Sequence, residues 1–291
     1  MSGYTVVAFR PFMPEEGHAL VRSILDTAVA AAEAGGAVIK ARVADMGEVR
    51  SKSASSDLVT DTDVASGVAV VRAIAGRIPG ARFVCEEEEV YDLAGVTRGG
   101  LFDDEVWVVD PLDGTTSFVH AYPCYSVSVA CLRGGQPVAG AVYNVPLDEM
   151  TCGAQGLGAT RDDIPLHVGD ADSVDRALLI TGFPYDRTLP MDRAIAVLGT
   201  FLRNPVHGIR RDGSAAIDCC HVAGARADGF YEFNLKPWDI AAGVAILREA
   251  GATVTDTDGT PWTPDSDGIC AANPTLHPKM LEVIQRGLAT L

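Results

Sequence analysis

Residues 106–118 read Val-Trp-Val-Val-Asp-Pro-Leu-Asp-Gly-Thr-Thr-Ser-Phe, and they restrict the fold more than any other stretch. The apolar residues Val106 to Val109 predict a buried strand. Two carboxylates, Asp110 and Asp113, then arrive three residues apart, with Pro111 between them fixing φ and offering no donor. Gly114 and the hydroxyls of Thr115 and Thr116 follow. A strand that ends in two acids and opens into a small polar turn presents hard oxygen ligands at a sheet edge. Such ligands suit Mg²⁺. If a helix starts after Gly114, its free N–H groups suit a phosphate. Asp-Pro and Asp-Gly are also common turn chemistry, so the segment alone reads equally well as a plain strand-to-helix turn.

At 291 residues the chain has room for one large domain or two smaller ones. Its net charge of −16 argues against a nucleic-acid backbone or an anionic membrane as partner. Most of the 39 carboxylates are expected on solvated surface, with some neutralised by bound cations. Lys52 and Lys236 stand out among only four lysines because both lie beside acidic motifs. Each also reads as a plain surface charge. The seven cysteines are odd in number, scattered and without a C-x-x-C pair, which predicts reduced, mostly buried thiols. No apolar run reaches membrane-spanning length and no basic n-region leads into an apolar one, so the expected location is cytoplasmic.

Along the chain, residues 1–13 read as an irregular arm. Apolar spacing predicts a helix over 15–44, with Gly35-Gly36 placed to interrupt or end it. A second helix is expected over 62–78, stopped by Pro79-Gly80, with Asp61 and Asp63 at its positive end. Residues 81–85 form a short strand running into Glu86-Glu87-Glu88-Glu89, and 90–105 read as a loop. Residues 124–132 and 137–144 predict a hairpin, 149–152 a third strand, and 153–158 a Gly-rich turn. Together these predict an antiparallel sheet packed on the first two helices. Residues 160–176 read as a loop at a junction. Strands at 177–181, 206–209, 229–233 and 269–272 then alternate with helices at 191–202, 214–223, 238–250 and 275–287. The expected fold class is α+β / α/β, a layered αβαβα sandwich. Its antiparallel half at 1–160 is followed by a mixed-sheet half at 161–291.

Single acids have simple explanations, since Asp63 and Asp239 both sit where helices begin. Counted together they suggest more. Glu86 and Glu87 end one strand, Asp110 and Asp113 end another, and Asp239 opens a helix in the other half, with Asp63 and Glu232 as further candidates. If these converge, like charges that close cannot all ionise unaided, and divalent cations are the natural compensation.

In this order the sequence resembles the inositol monophosphatase family, among the lithium-sensitive, Mg²⁺-dependent phosphomonoesterases. The markers are Lys52, Asp57-Leu-Val-Thr-Asp-Thr-Asp63, Glu86-Glu87, Asp110-Pro-Leu-Asp-Gly-Thr-Thr-Ser-Phe118, Arg211-Asp-Gly-Ser-Ala-Ala216 and Lys236-Pro-Trp-Asp-Ile-Ala-Ala-Gly243. The resemblance implies a first Mg²⁺ on Glu86, Asp110 and the Leu112 carbonyl, and a second on Asp110, Asp113 and Asp239. A weaker third site would use Glu86, with Glu87 close by. It implies that Asp63 and Thr115 orient a water, that Gly114, Thr115 and Thr116 hold the phosphate, and that Glu232 meets the substrate's hydroxyls. It also implies a homodimer. The family's reaction is hydrolysis of a small phosphorylated metabolite by metal-activated water.

Two departures are Cys85 and Ala121, each standing where the family usually has glycine. The expected substrate is a cyclitol or sugar phosphate such as inositol-1-phosphate. Histidinol phosphate, a 3′-phosphonucleotide, fructose-1,6-bisphosphate and an aminocyclitol or nucleoside phosphate are alternatives. A non-catalytic, metal-binding regulatory dimer is the reading from a different class.

Overall fold

A computed structural model describes residues 15–51 and 58–291; the expected arm at 1–13, Lys52 and Asp57 lie outside the described residues. Helix α1 (Glu15–Arg42) runs unbroken through Gly35 and Gly36, where the sequence suggested an interruption. The reason is close approach. A Cβ on Gly35 would lie 2.7 Å from a Val70 methyl, and one on Gly36 would lie 2.2 Å from the Tyr143 ring. Glycine costs a helix about 1 kcal/mol, but here it lets α1 settle against α2 (Asp61–Arg77) and the sheet below. A two-stranded hairpin, β1 (Val49–Ser51) and β2 (Leu58–Thr60), leads into α2.

The larger sheet has eight strands. They are β3 (Arg82–Cys85), β4 (Thr97–Arg98), β5 (Val106–Asp113), β6 (Ser126–Arg133), β7 (Gln136–Asn144), β8 (Glu149–Ala154), β9 (Gly158–Arg161) and β10 (Ile164–Pro165). Their order is β10-β9-β8-β7-β6-β5-β3-β4. From β5 to β10 every pairing is antiparallel, as expected. At the other edge β3 pairs in parallel with both β4 and β5, so the sheet is mixed. Two stretches read as loops carry structure. Residues 90–105 contain most of helix α3 (Glu89–Ala94), ended by Gly95 at φ 67, and strand β4. Residues 160–176 contain the end of β9 and all of β10. Elements of two to six residues are too short to show a period.

Helix α4 (Thr115–Val119) follows β5, and four longer helices complete the fold: α5 (Leu189–Arg203), α6 (Ala215–Ala223), α7 (Pro237–Glu249) and α8 (His277–Leu288). The second sheet comprises β11 (Leu178–Thr181), β12 (Gly208–Arg210), β13 (Gly229–Phe233), β14 (Thr253–Thr255) and β15 (Gly268–Ala272). Its order is β12-β11-β13-β15-β14. Strand β11 is parallel to β12 and β13, and β15 is antiparallel to β13 and β14. The three-residue β14, Thr-Val-Thr, was not expected.

Three cores fill the four interfaces between five layers, the expected αβαβα order, with the middle core covering both faces of the α6–α7 layer. Val127, Val129 and Cys131 of β6 face α1 and α2. Ala130 and Leu132, on the opposite face of the same strand, join α6 and α7. Phe201 of α5 and Met280 of α8 pack on the outer face of the second sheet, against Leu179 and Tyr231. Helix α7 lies directly on β7, since a Cβ on Gly140 would come within 2.4 Å of the Ala242 carbonyl oxygen. No helix among the described residues is long and apolar enough to cross a membrane.

Candidate active site

Asp110 and Asp113 are an odd number of residues apart, so a regular strand would send them to opposite faces. The register prevents this. Asp110 pairs with Ser128 and Asp113 with Ser126, so three steps on β5 match two on β6. The extra residue is a β-bulge at Pro111-Leu112, where a missing N–H costs the ladder least. Ser66 Oγ donates to the Pro111 carbonyl at 2.7 Å and secures the bulge to α2. Both aspartates then line one cleft of about 640 Å³, open to solvent, with Leu112 between them.

Neighbouring elements supply the other acids. Because β3 runs parallel to β5, Glu86 arrives beside Asp110, and its N–H donates to the Val109 carbonyl at 3.2 Å. Asp239 enters from the opposite layer at the start of α7, where the Lys236 N–H donates to its Oδ2 at 2.7 Å. That bond is the ordinary helix-capping role the sequence allowed for it, and it leaves the second oxygen for other work. Asp113 meets the N-terminus of α6. The Ser214 hydroxyl donates to its Oδ2 at 2.6 Å and the Ala216 N–H at 2.9 Å.

Asp63 is buried at 1% exposure behind the cleft and does not line it. It closes the capping box of α2 with Thr60, and its Oδ1 accepts from the Thr115 hydroxyl at 2.8 Å. Thr115 itself reaches the cleft wall. Gly114 at φ 91 is the N-cap of α4, and a Cβ there would strike the Cys124 carbonyl oxygen at 2.7 Å. Thr116 and Glu87 lie off the cleft wall; the Thr116 Oγ1 is buried without a partner, and Glu87 is buried at the turn into α3.

Ala121 holds φ 53 just beyond α4, in the left-handed region that an L-residue enters at a cost of about 1–2 kcal/mol. Glycine, the residue the resemblance leads one to expect here, enters that region without this cost. Ala121→Gly is expected to raise thermal stability by about 1 kcal/mol. A melting temperature unchanged or lowered by the substitution would contradict this.

The far end of the cleft is built on α6, β11 and β13. Glu232 is 8% exposed and sits against Gly182, where a Cβ would fall 2.2 Å from its Oε1. Asp218 is 1% exposed, also lines the cleft, and has an Oδ1 without a hydrogen-bond partner. Arg211, Phe183, Tyr185 and Leu235 complete this wall. Asp218 had no distinction in the sequence, because one acid inside a small-residue helix carries no spacing signal. Its neighbour four residues back, the N-cap Ser214, was the available clue.

Burial and mutual repulsion set the electrostatics. Asp110 is pushed well up from the ordinary carboxylate range by desolvation, then by Glu86, Asp113 and Asp239. Asp239 rises for the same reasons, with desolvation first and then Glu86 and Asp113. Desolvation lifts Asp113 to about 6 against the opposing bonds from Ser214 and Ala216. Desolvation lifts Glu232 to about 8, opposed by Arg211. No Lys or Arg side chain offsets the charge on Asp110, Asp113 or Asp239; Lys236 acts on Asp239 only through its backbone N–H. Buried oxygen ligands without a cationic partner fit a hard divalent cation. Among the described residues no three acid, histidine or cysteine side chains are drawn tightly enough around one point to hold a metal outright. Carboxylates of like charge do not close up without a cation between them.

Residues 20–289 match the model of the inositol monophosphatase family. The chain is 35% identical over 260 residues to an inositol-1-monophosphatase of Synechocystis, covering 89% of this chain and 88% of that one. It is 36% identical over 231 residues to the Nus factor SuhB of Pasteurella multocida, covering 79% and 84%. The solved inositol monophosphatase of Anabaena superimposes with a TM-score of 0.81 at 35% identity, covering 94% of this chain and 100% of that one.

Proposed function

The chain belongs to the inositol monophosphatase family, and we propose that it is a Mg²⁺-dependent phosphatase of a small cyclitol or sugar phosphate such as inositol-1-phosphate. The observation that carries this reading is one cleft lined by Glu86, Asp110, Asp113 and Asp239, with the Gly114-Thr115 turn beside them and Glu232 at the far end. Glu86, Asp110 and the Leu112 carbonyl would hold one ion, and Asp110, Asp113 and Asp239 a second. Glu86, with Glu87 close behind, would hold a weaker third. When bound, the ions supply Lewis-acid stabilisation of the phosphoryl oxygens and lower the pKa of water.

The protein's own groups provide orientation and proton transfer. The N–H groups of Gly114, Thr115 and Thr116 hold the phosphate at the turn into α4. Thr115 Oγ1, backed by Asp63 Oδ1, orients the attacking water in line with the leaving oxygen; as the water's proton passes to Thr115 Oγ1, the Thr115 hydroxyl proton passes to Asp63 Oδ1. Glu232 accepts hydrogen bonds from the leaving group's hydroxyls. No covalent intermediate on the protein is needed. The Cys124 thiol is pushed up by burial and by Asp218 and Asp113, so it stays protonated and unreactive. Sensitivity to lithium, a cytoplasmic location and a homodimer belong to the same reading.

The test is phosphate release from inositol-1-phosphate and from sugar, histidinol, 3′-phosphonucleotide and fructose-1,6-bisphosphate substrates, with Mg²⁺ or with EDTA. Release with Mg²⁺ and none with EDTA is expected; silence across the whole panel would remove the reading. The bound cations would draw Glu232 back to its charged form, so Glu232→Gln is expected to lower kcat/KM on the preferred substrate about 10–100-fold, the worth of a hydrogen bond to a charged group. The same variant should change p-nitrophenyl phosphate hydrolysis by less than about threefold, because that leaving group has no hydroxyls to bond. Equal losses on both substrates would rule out a role in selection.

The likeness to a relative named a Nus factor favours a second reading, a factor that acts through protein contacts. An Asp110→Asn variant that folds and retains biological function would support it over catalysis.

A further inference from the structure

Two hydroxyls behind Asp113 form a connected path. Ser126 and Ser214 are 0% and 1% exposed, and their Oγ atoms stand 3.1 Å apart. A serine hydroxyl carries a single proton. That of Ser214 goes to Asp113 Oδ2 at 2.6 Å. The contact between the serines therefore has only one possible direction, with Ser126 Oγ–H donating to Ser214 Oγ. The Ile217 N–H donates to the same Ser214 oxygen at 3.3 Å, and the Ala216 N–H adds a second donor to Asp113 Oδ2 at 2.9 Å.

We propose that Ser126 and Ser214 are positioning residues for the cation site. They form a two-hydroxyl relay that commits Asp113 Oδ2 to the protein and leaves the other carboxylate oxygen for the metal. The proposal rests on the reading of Asp113 as a Mg²⁺ ligand. Three observations support a role beyond packing. The N-cap of α6 is complete with Ser214 alone, through the Ile217 N–H. Ser126 adds nothing to that cap, yet its hydroxyl is fully buried on a strand face that continues through Ser128, whose own hydroxyl is taken up by the Trp238 carbonyl at 3.3 Å, to the apolar Ala130 and Leu132. A buried hydroxyl is costly unless bonded, and its bond leads to Asp113. Finally, Ser126 is the cross-strand partner of Asp113 itself, directly after the bulge. The relay thus joins β5, β6 and α6 at the residue whose orientation matters most. Hydrogen bonds in series polarise one another, and a carboxylate acceptor strengthens the last of them. A ligand fixed in this way loses less freedom when it takes up a cation.

The test compares the full-length protein with Ser214→Ala, Ser126→Ala and Ser214→Thr. Mg²⁺ binding is measured by calorimetry without substrate, together with thermal melting in EDTA and the Mg²⁺ dependence of p-nitrophenyl phosphate hydrolysis. Ser214→Ala is expected to weaken Mg²⁺ binding about 10–100-fold, the usual consequence of losing a partner behind a metal ligand. Ser126→Ala removes only the outer hydroxyl and leaves the α6 cap intact, so a loss of about 3–10-fold is expected with little change in EDTA melting. Ser214→Thr keeps the hydroxyl and should restore most of the affinity. If Ser214→Ala does not fold, Ser126→Ala alone decides the matter. Affinity within twofold of the parent in Ser126→Ala and in any folded Ser214→Ala would overturn the relay. A parent protein that binds no Mg²⁺ would instead overturn the assignment of Asp113, and the relay with it.

Discussion

Asp110→Asn is expected to reduce kcat/KM at saturating Mg²⁺ by about a thousandfold or more, equivalent to about 4 kcal/mol of transition-state stabilisation. Asp110 is the residue proposed to touch both principal ions, and asparagine keeps its shape but not its charge. The same change should stabilise the metal-free protein. Asp110 is buried beside Glu86, Asp113 and Asp239, and those carboxylates together with desolvation raise the cost of ionising it. A neutral amide relieves that repulsion, so the melting temperature in EDTA should rise by an amount corresponding to about 1–2 kcal/mol. The rise produced by added Mg²⁺ should shrink. A residue that merely held the fold together would lose activity and stability together. Opposite signs, read by melting and by phosphate release on the same preparations, identify a functional carboxylate. A variant less stable than the parent in EDTA would count against this account.

The second large effect is a pH dependence of the metal's influence on stability. Unfolded carboxylates titrate near 4. In the metal-free fold Asp113 is lifted to about 6 and Glu232 to about 8, and Asp110 and Asp239 are raised as well. Between the unfolded and folded values the native state binds more protons than the unfolded one. Stability therefore falls as pH rises through that window, from about 4 up to about 8. Below it there is no penalty. Added Mg²⁺ replaces the protons, so its stabilising effect should grow from pH 5.5 to pH 8, by an order of a few kcal/mol. Binding at pH 7 should release about one to two protons, measurable in buffers of different ionisation enthalpy. His221 and His277, both lowered by burial, destabilise the fold as pH drops below about 6.5 and act against the cleft in the raw melting curve. Neither lines the cleft, so the difference between Mg²⁺ and EDTA curves isolates the acids. A Mg²⁺ increment that is flat across this range would contradict the electrostatic account.

The five-layer order was legible because helices of 12 residues or more show their period and hairpins show their turns. What escaped was local. Gly35 and Gly36 resemble a stop signal, and only the nearness of Val70 and Tyr143 explains why the helix continues. Strands β4, β10 and β14 are two or three residues long and exist only because a neighbour offers an edge. In the cleft, the acids at element ends were visible as a pattern. The roles of Ser126, Ser214 and Asp218 were not, since a buried hydroxyl or a single helix acid gains meaning only from what it faces across the layers.

The bulge in β5 acts as a phase shift in the strand. Upstream of it, even and odd positions alternate in one frame; downstream the frame is inverted. Asp113 faces its partners only because that inversion occurs once between it and Asp110. Regular pairing over the same three steps would turn Asp113 toward the α1–α2 core, however faithfully every side chain of the motif were kept. The spacing of Asp-Pro-Leu-Asp is thus a parity condition as well as a list of ligands. At 110–113 the odd spacing and the bulge have to occur together, since either one without the other puts the two aspartates on opposite faces.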